Sequence, residues 1–177
     1  MKNGRNKGSA YERHIAKKLG AWWGEKFQRT PASGGLDWGK DNRVCGDIVT
    51  PPGSEFPFTV ECKKRENWTM DSLFKGSKEV EKWWAQVNKD CERSGLLPML
   101  VFSRNLQPDY VCLAADDYVS LFYWDTPNRE ALDRIHVRLN GEEVIIVSLD
   151  AFMEMAHPAT IAGAALDVLA DKKTNVS

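Results

Sequence analysis

Gly46-Asp47-Ile48-Val49 and, after a turn through Pro51 to Pro57, Phe58-Thr59-Val60-Glu61-Cys62-Lys63 form the stretch that decides the fold and points to the chemistry. The alternation over Phe58 to Lys63 predicts a strand. Alternate side chains of an extended strand point the same way, so Glu61 and Lys63 share one face while Val60 and Cys62 turn towards the core. Val44 to Val49 reads as a shorter strand before it, with Asp47 breaking its apolar run. Should that strand end beside Glu61, two carboxylates and an ammonium meet at one spot. Like charges that close are unfavourable unless a cation neutralises them. Hard oxygen donors select Mg²⁺, with Mn²⁺ as a substitute, over zinc. Such a site suits phosphodiester hydrolysis, the metal polarising the phosphate and the lysine positioning a water or stabilising developing charge. A lone E-x-K is a cheap pattern on solvated strands. Here it gains weight from the strand, the preceding G-D-I and an upstream helix that carries Glu12.

That helix is read from Tyr11, Ile15, Leu19 and Trp22, which recur at helical spacing between Ser9 and Gly24. Two roles are open to Glu12. Ser9-Ala10-Tyr11-Glu12 is a capping box, in which Glu12 bonds back to the helix start. From the same first turn the side chain also reaches a metal at the sheet edge. Residues 1–8, rich in Asn, Gly, Lys and Arg, read as a basic arm whose Arg5 and Lys7 would wrap DNA. Residues 9–177 read as one domain, with a catalytic core at about 9–114 and a variable part at 115–177.

Downstream, Thr30 to Gly46 reads as a long Gly- and Pro-rich loop. Val80, Trp84, Val87 and Cys91 predict a helix over Ser77 to Arg93, stopped by Ser94-Gly95. Pro98 to Ser103 and Tyr110 to Ala114 read as further strands, followed by a short helix near Asp116 to Tyr123, a strand near Glu143 to Leu149 and a helix from about Asp150. Lys64 and Arg65 extend the basic run, open either to a phosphate or to solvent. Of the seven tryptophans, Trp22 and Trp84 sit on core faces, whereas Trp38 and Trp68 lie in polar loops and are the candidates for base stacking. Gln86 on the helix over Ser77 to Arg93 is within reach of the metal region, with a surface amide as the default reading.

Composition sets the outer limits. The chain has 177 residues, 42% hydrophobic and 28% charged, enough apolar material for one domain with a real core. Net charge is only -1, so bulk basicity is no argument for nucleic-acid binding. Its distribution is uneven: residues 1–29 hold eight Lys/Arg against two acidic residues, and residues 105–177 hold five against twelve. The four cysteines, without a C-x-x-C pair, suggest neither zinc nor a disulfide framework, and the three histidines do not cluster. No apolar run is long enough for a membrane span, and the expectation is a cytoplasmic protein, in the host cytoplasm if phage-encoded.

Lys7-Gly8-Ser9 with Glu12-Arg13, Arg29-Thr30-Pro31-Ala32-Ser33-Gly34, Gly46-Asp47-Ile48 and Glu61-Cys62-Lys63 together resemble the PD-(D/E)XK nuclease superfamily, particularly the archaeal and phage Holliday junction resolvases. The resemblance covers about residues 7–104. It implies an α/β, restriction-endonuclease-like fold with a central mixed sheet flanked by helices, a homodimer, and paired cuts in a four-way DNA junction. It also implies that Glu12, Asp47 and Glu61 ligate Mg²⁺ with the Cys62 backbone carbonyl, that Lys63 is the catalytic lysine, that Arg13 and Arg29 contact phosphates, and that Ser33 positions the scissile strand. The loop from Gly34 to Gly46 is longer than in the archaeal enzymes, and the acidic C-terminal third differs from theirs. A restriction-like or general phage endonuclease on duplex DNA would use the same site, and a catalytically inactive DNA-binding module would keep only the fold.

Overall fold

The stripe Tyr11, Ile15 and Leu19 does become the buried face of a helix, α1 (Lys2–Trp23). The computed structural model describes residues 2–31, 45–122 and 134–174. Because α1 begins at Lys2, residues 2–8 are helical rather than a loose arm. The short strands β1 (Gln28–Arg29) and β2 (Ile48–Val49) pair antiparallel on either side of the long loop.

The main sheet has five strands, β3 (Phe58–Lys64), β4 (Leu97–Ser103), β5 (Tyr110–Ala114), β6 (Ile135–Leu139) and β7 (Glu142–Ser148), in the spatial order β3-β4-β5-β7-β6. The β3/β4 pair is parallel and the others are antiparallel, so the sheet is mixed. Parallel neighbours need a crossover, and it is supplied by α2 (Met70–Phe74) and α3 (Lys78–Ser94). Ser77 caps α3 by accepting from the Val80 N–H, and Gly95 ends it in the left-handed conformation. All seven residues of β4 are buried, as expected of a strand covered on both faces.

Alternation divides the core in two. Phe58, Val60 and Cys62 of β3, with Met99 and Val101 of β4, pack under Tyr11, Ile15 and Leu19 of α1. Leu100 and Phe102 face the other way, onto Val80, Trp83, Trp84 and Val87 of α3. Three further helices complete the first layer: α4 (Ala115–Phe122), α5 (Leu149–Met155) and α6 (Pro158–Thr174) bury Leu121, Phe152 and Ile161 in it. The C-terminal part thus contributes β6 and β7 and one helical layer of the same sheet. No helix among the described residues is long and apolar enough to cross a membrane.

Trp68 corrects its expected role. It is 2% exposed, packed edge-on against Phe102 and Tyr110, so it is core and not a stacking platform. Trp38 lies outside the described residues. None of the four cysteines is joined in a disulfide, and Cys45, Cys62 and Cys112 are buried.

Candidate active site

Gly46 makes the site possible. Its φ is +76°, and a Cβ built there would stand 2.5 Å from the Val60 carbonyl oxygen. Only glycine therefore lets the chain come this close to β3. The Asp47 N–H then donates to the Val60 carbonyl at 2.7 Å, and the Asp47 carboxylate accepts from the Cys62 N–H at 2.8 Å. Across the long loop the Thr30 N–H donates to the Asp47 carbonyl at 2.9 Å and the Thr30 hydroxyl to the Gly46 carbonyl at 2.9 Å. Asp47 is thus fixed from both sides against the outer edge of β3. Val60 and Cys62 turn their backbone groups to this edge, so the Cys62 carbonyl opens towards the Asp47 side.

Glu61 and Lys63 lie on the α3 face of the same strand. Glu61 is 2% exposed, and its carboxylate is bonded to the Lys63 ammonium. Lys63 also donates to Gln86 on α3 at 3.1 Å, so this exposed amide also holds the lysine. Asp90, one turn further along α3 and not singled out from the sequence, adds its field to Glu61. The i, i+4 spacing of Gln86 and Asp90 was the available signal that both face this strand.

Glu12 does not form the capping box. Ser9 lies inside α1, and the Glu12 carboxylate instead receives the Nε–H of Arg29. Its charge still bears on Asp47. Among the described residues no three acidic, histidine or cysteine side chains converge to hold an ion together. What stands at the edge of β3 is a two-carboxylate site, with the Glu12–Arg29 pair behind Asp47.

The electrostatics are those of a site short of positive charge. Burial first, then the Glu12 charge, pushes the Asp47 carboxyl up to about 6 despite the Cys62 N–H, Lys63 and Arg29. Burial, then Asp47 itself, pushes Glu61 up to about 7 although Lys63 is bonded to it. One ammonium does not compensate a half-buried and a buried carboxylate this close together, and a divalent cation with a preference for hard oxygen donors fits them.

Of the expected DNA contacts, Arg13 is exposed on α1 and Arg65 is exposed beyond β3. Arg29 is committed to Glu12, and Lys7 pairs with Glu66 at 3.1 Å. The Lys64 ammonium lies 5.3 Å from the centroid of the Tyr11 ring. The Arg5 side chain and Ser33 fall outside the described part.

Comparison with known proteins gives one family. The family described as "Phage putative PDDEXK endonuclease" matches residues 3–163. Among solved structures, Hjc of Archaeoglobus fulgidus, a Holliday junction resolvase from an archaeal hyperthermophile, is similar at 15% identity and a TM-score of 0.38, over 89% of this chain and 96% of that one. No curated protein matches the sequence.

Proposed function

The chain belongs to the phage PD-(D/E)XK endonuclease family, and on that premise we propose that it is a Mg²⁺-dependent DNA endonuclease whose preferred substrate is a four-way junction. The observation that carries the catalytic part is the meeting of half-buried Asp47 and buried Glu61, two mutually repelling carboxylates, beside Lys63 on a rigid strand edge. Asp47, Glu61 and the Cys62 carbonyl are the groups that would hold the ion, with Glu12 the next carboxylate in reach. Bound there, Mg²⁺ or Mn²⁺ would draw charge from the scissile phosphate and make an attacking water more acidic.

The chain's own residues do the rest. Lys63, held by Gln86, keeps an ammonium where negative charge develops on the phosphate oxygens. Asp47 is locked by backbone bonds on both sides, so little reorganisation is needed on substrate binding. The exposed cations Arg13 and Arg65, with half-buried Lys64, offer sequence-independent phosphate contacts. The junction preference and the homodimer rest on the order and spacing of the motifs from Lys7 to Lys63. The setting would be the cytoplasm, that of the host where the gene is a phage's.

The test is cleavage of labelled four-way junction against matched linear duplex, in Mg²⁺ and in EDTA. Symmetric junction nicks that need Mg²⁺ support the reading. Cleavage of duplex alone would replace the junction preference with a restriction-like activity, and binding without cleavage would leave only a DNA-binding module.

A further inference from the structure

The turn that leaves β4 presents a leucine in a way that packing does not explain. Leu106 is 99% exposed and has φ +59°, at the third position of a turn closed by the Gln107 N–H donating to the Arg104 carbonyl at 3.3 Å. Glycine or asparagine ordinarily fills such a position. A lone exposed leucine on an ordinary loop needs no account. This one is strained, and the strain is braced on every side. The buried Ser103 hydroxyl lies 3.1 Å from the Arg104 carbonyl oxygen and 3.2 Å from that of Gln107. The Asn105 N–H donates to the Glu66 carboxylate at 3.2 and 3.3 Å. Arg104 donates to the Trp68 carbonyl at 3.4 Å, its guanidinium carbon 5.9 Å from the centroid of the buried Trp68 ring.

The turn also stands in a cationic setting at the same sheet end as Lys63. Lys63 and Lys64 pair with Phe102 and Ser103 across the β3/β4 ladder, and the Arg65 N–H donates to the Ser103 carbonyl at 3.0 Å. Leu106 follows Ser103 by three residues, at most about 10 Å of backbone. Lys7 pairs with Glu66, whose carboxylate accepts from the Asn105 N–H of the turn and also feels the Arg104 charge. A single apolar tip beside Arg104 and the Lys7–Glu66 pair is too small for a protein interface, whose core is a contiguous apolar patch. It matches stacked bases flanked by phosphates.

We propose that the turn at residues 104–107 is a DNA wedge, in which Leu106 enters between neighbouring bases while Arg104 and Lys7 hold the flanking phosphates. Insertion of an apolar side chain unstacks a base step and kinks the duplex, and it is easiest where stacking is already broken, as at a branch point. The inference rests on the nuclease reading and adds to it the element that recognises distorted DNA.

The experiment uses the full chain with a four-way junction carrying 2-aminopurine at the branch point, with Ca²⁺ replacing Mg²⁺ to hold back cleavage. Wild type should raise the fluorescence on binding. Leu106→Asn, which suits the left-handed backbone, should melt no lower than wild type, bind about tenfold more weakly, the loss of one leucine-sized contact, and leave the fluorescence flat. Leu106→Ala should do the same to binding and fluorescence. Variants that bind and unstack as wild type does overturn the wedge, as does a variant whose main change is in oligomeric state. If wild type cuts DNA in Mg²⁺ yet never raises the fluorescence, the wedge fails and the nuclease stands; if it neither binds nor cuts DNA, both fail.

Discussion

Asp47→Asn should make the metal-free protein more stable while abolishing cleavage. In the folded protein the Asp47 carboxyl titrates at about 6, against about 3.9 for a free aspartate. A folded pKa above the unfolded one means that the fold favours the neutral acid. The penalty for ionisation is therefore absent below about pH 4 and complete above pH 7. Two pH units at about 1.4 kcal/mol each give a cost near 3 kcal/mol, lessened by relaxation to about 2–3 kcal/mol. Asparagine keeps an acceptor for the Cys62 N–H and carries no charge, so it removes this cost and relieves Glu61 as well. In EDTA at pH 8 the variant should melt about 5–10 °C above wild type. At pH 4 the two should melt together. Mg²⁺ should raise the wild-type melting temperature at pH 8 and leave the variant unmoved. A variant less stable than wild type at pH 8 without metal would refute the reasoning, since Asp47 would then be a structural group whose charge the fold needs.

Three further outcomes are expected. Lys63→Ala should lower kcat by about 10²–10³ with DNA binding largely retained, as measured by single-turnover cleavage and by anisotropy in Ca²⁺, because the ammonium acts on developing charge. Gly46→Ala should cost about 2–4 kcal/mol in denaturant unfolding, since the added methyl meets the Val60 carbonyl at 2.5 Å in a left-handed backbone; a neutral result would remove the reason given for the G-D-I motif. The Mg²⁺ concentration for half-maximal cleavage should fall by more than tenfold from pH 6 to pH 8. Only ionised carboxylates would ligate the ion, and burial pushes the Asp47 and Glu61 carboxyls up to about 6 and about 7.

Much of the framework is legible in the sequence because it is periodic. The Val80, Trp84, Val87 spacing places α3 to within a residue of its observed bounds, with Ser77 as its cap, and the strand over Tyr110 to Ala114 is found with its ends. What escapes is set by other forces. The first turns of α1 have no apolar stripe, so helicity there leaves no periodic trace. β6 escapes as well, although Asn140-Gly141, at φ +52° and +85°, is the hairpin signal that precedes β7. Trp68 reads as a loop residue beside Glu66 and Asn67, and only the tertiary fold shows it beneath Arg104. In the site, strand alternation yields Glu61 with Lys63, whereas the engagement of Glu12 by Arg29 and the hold of Gln86 on Lys63 depend on elements distant in the chain.

Binding of Mn²⁺ followed by electron paramagnetic resonance tests the two-carboxylate site most directly, because it reads the ion and needs no substrate. Wild type at pH 8 should hold Mn²⁺, with Mg²⁺ competing for it, and both Asp47→Asn and Glu61→Gln should lose most of that binding while staying folded. Undiminished Mn²⁺ binding by both variants would contradict a metal centre at the edge of β3.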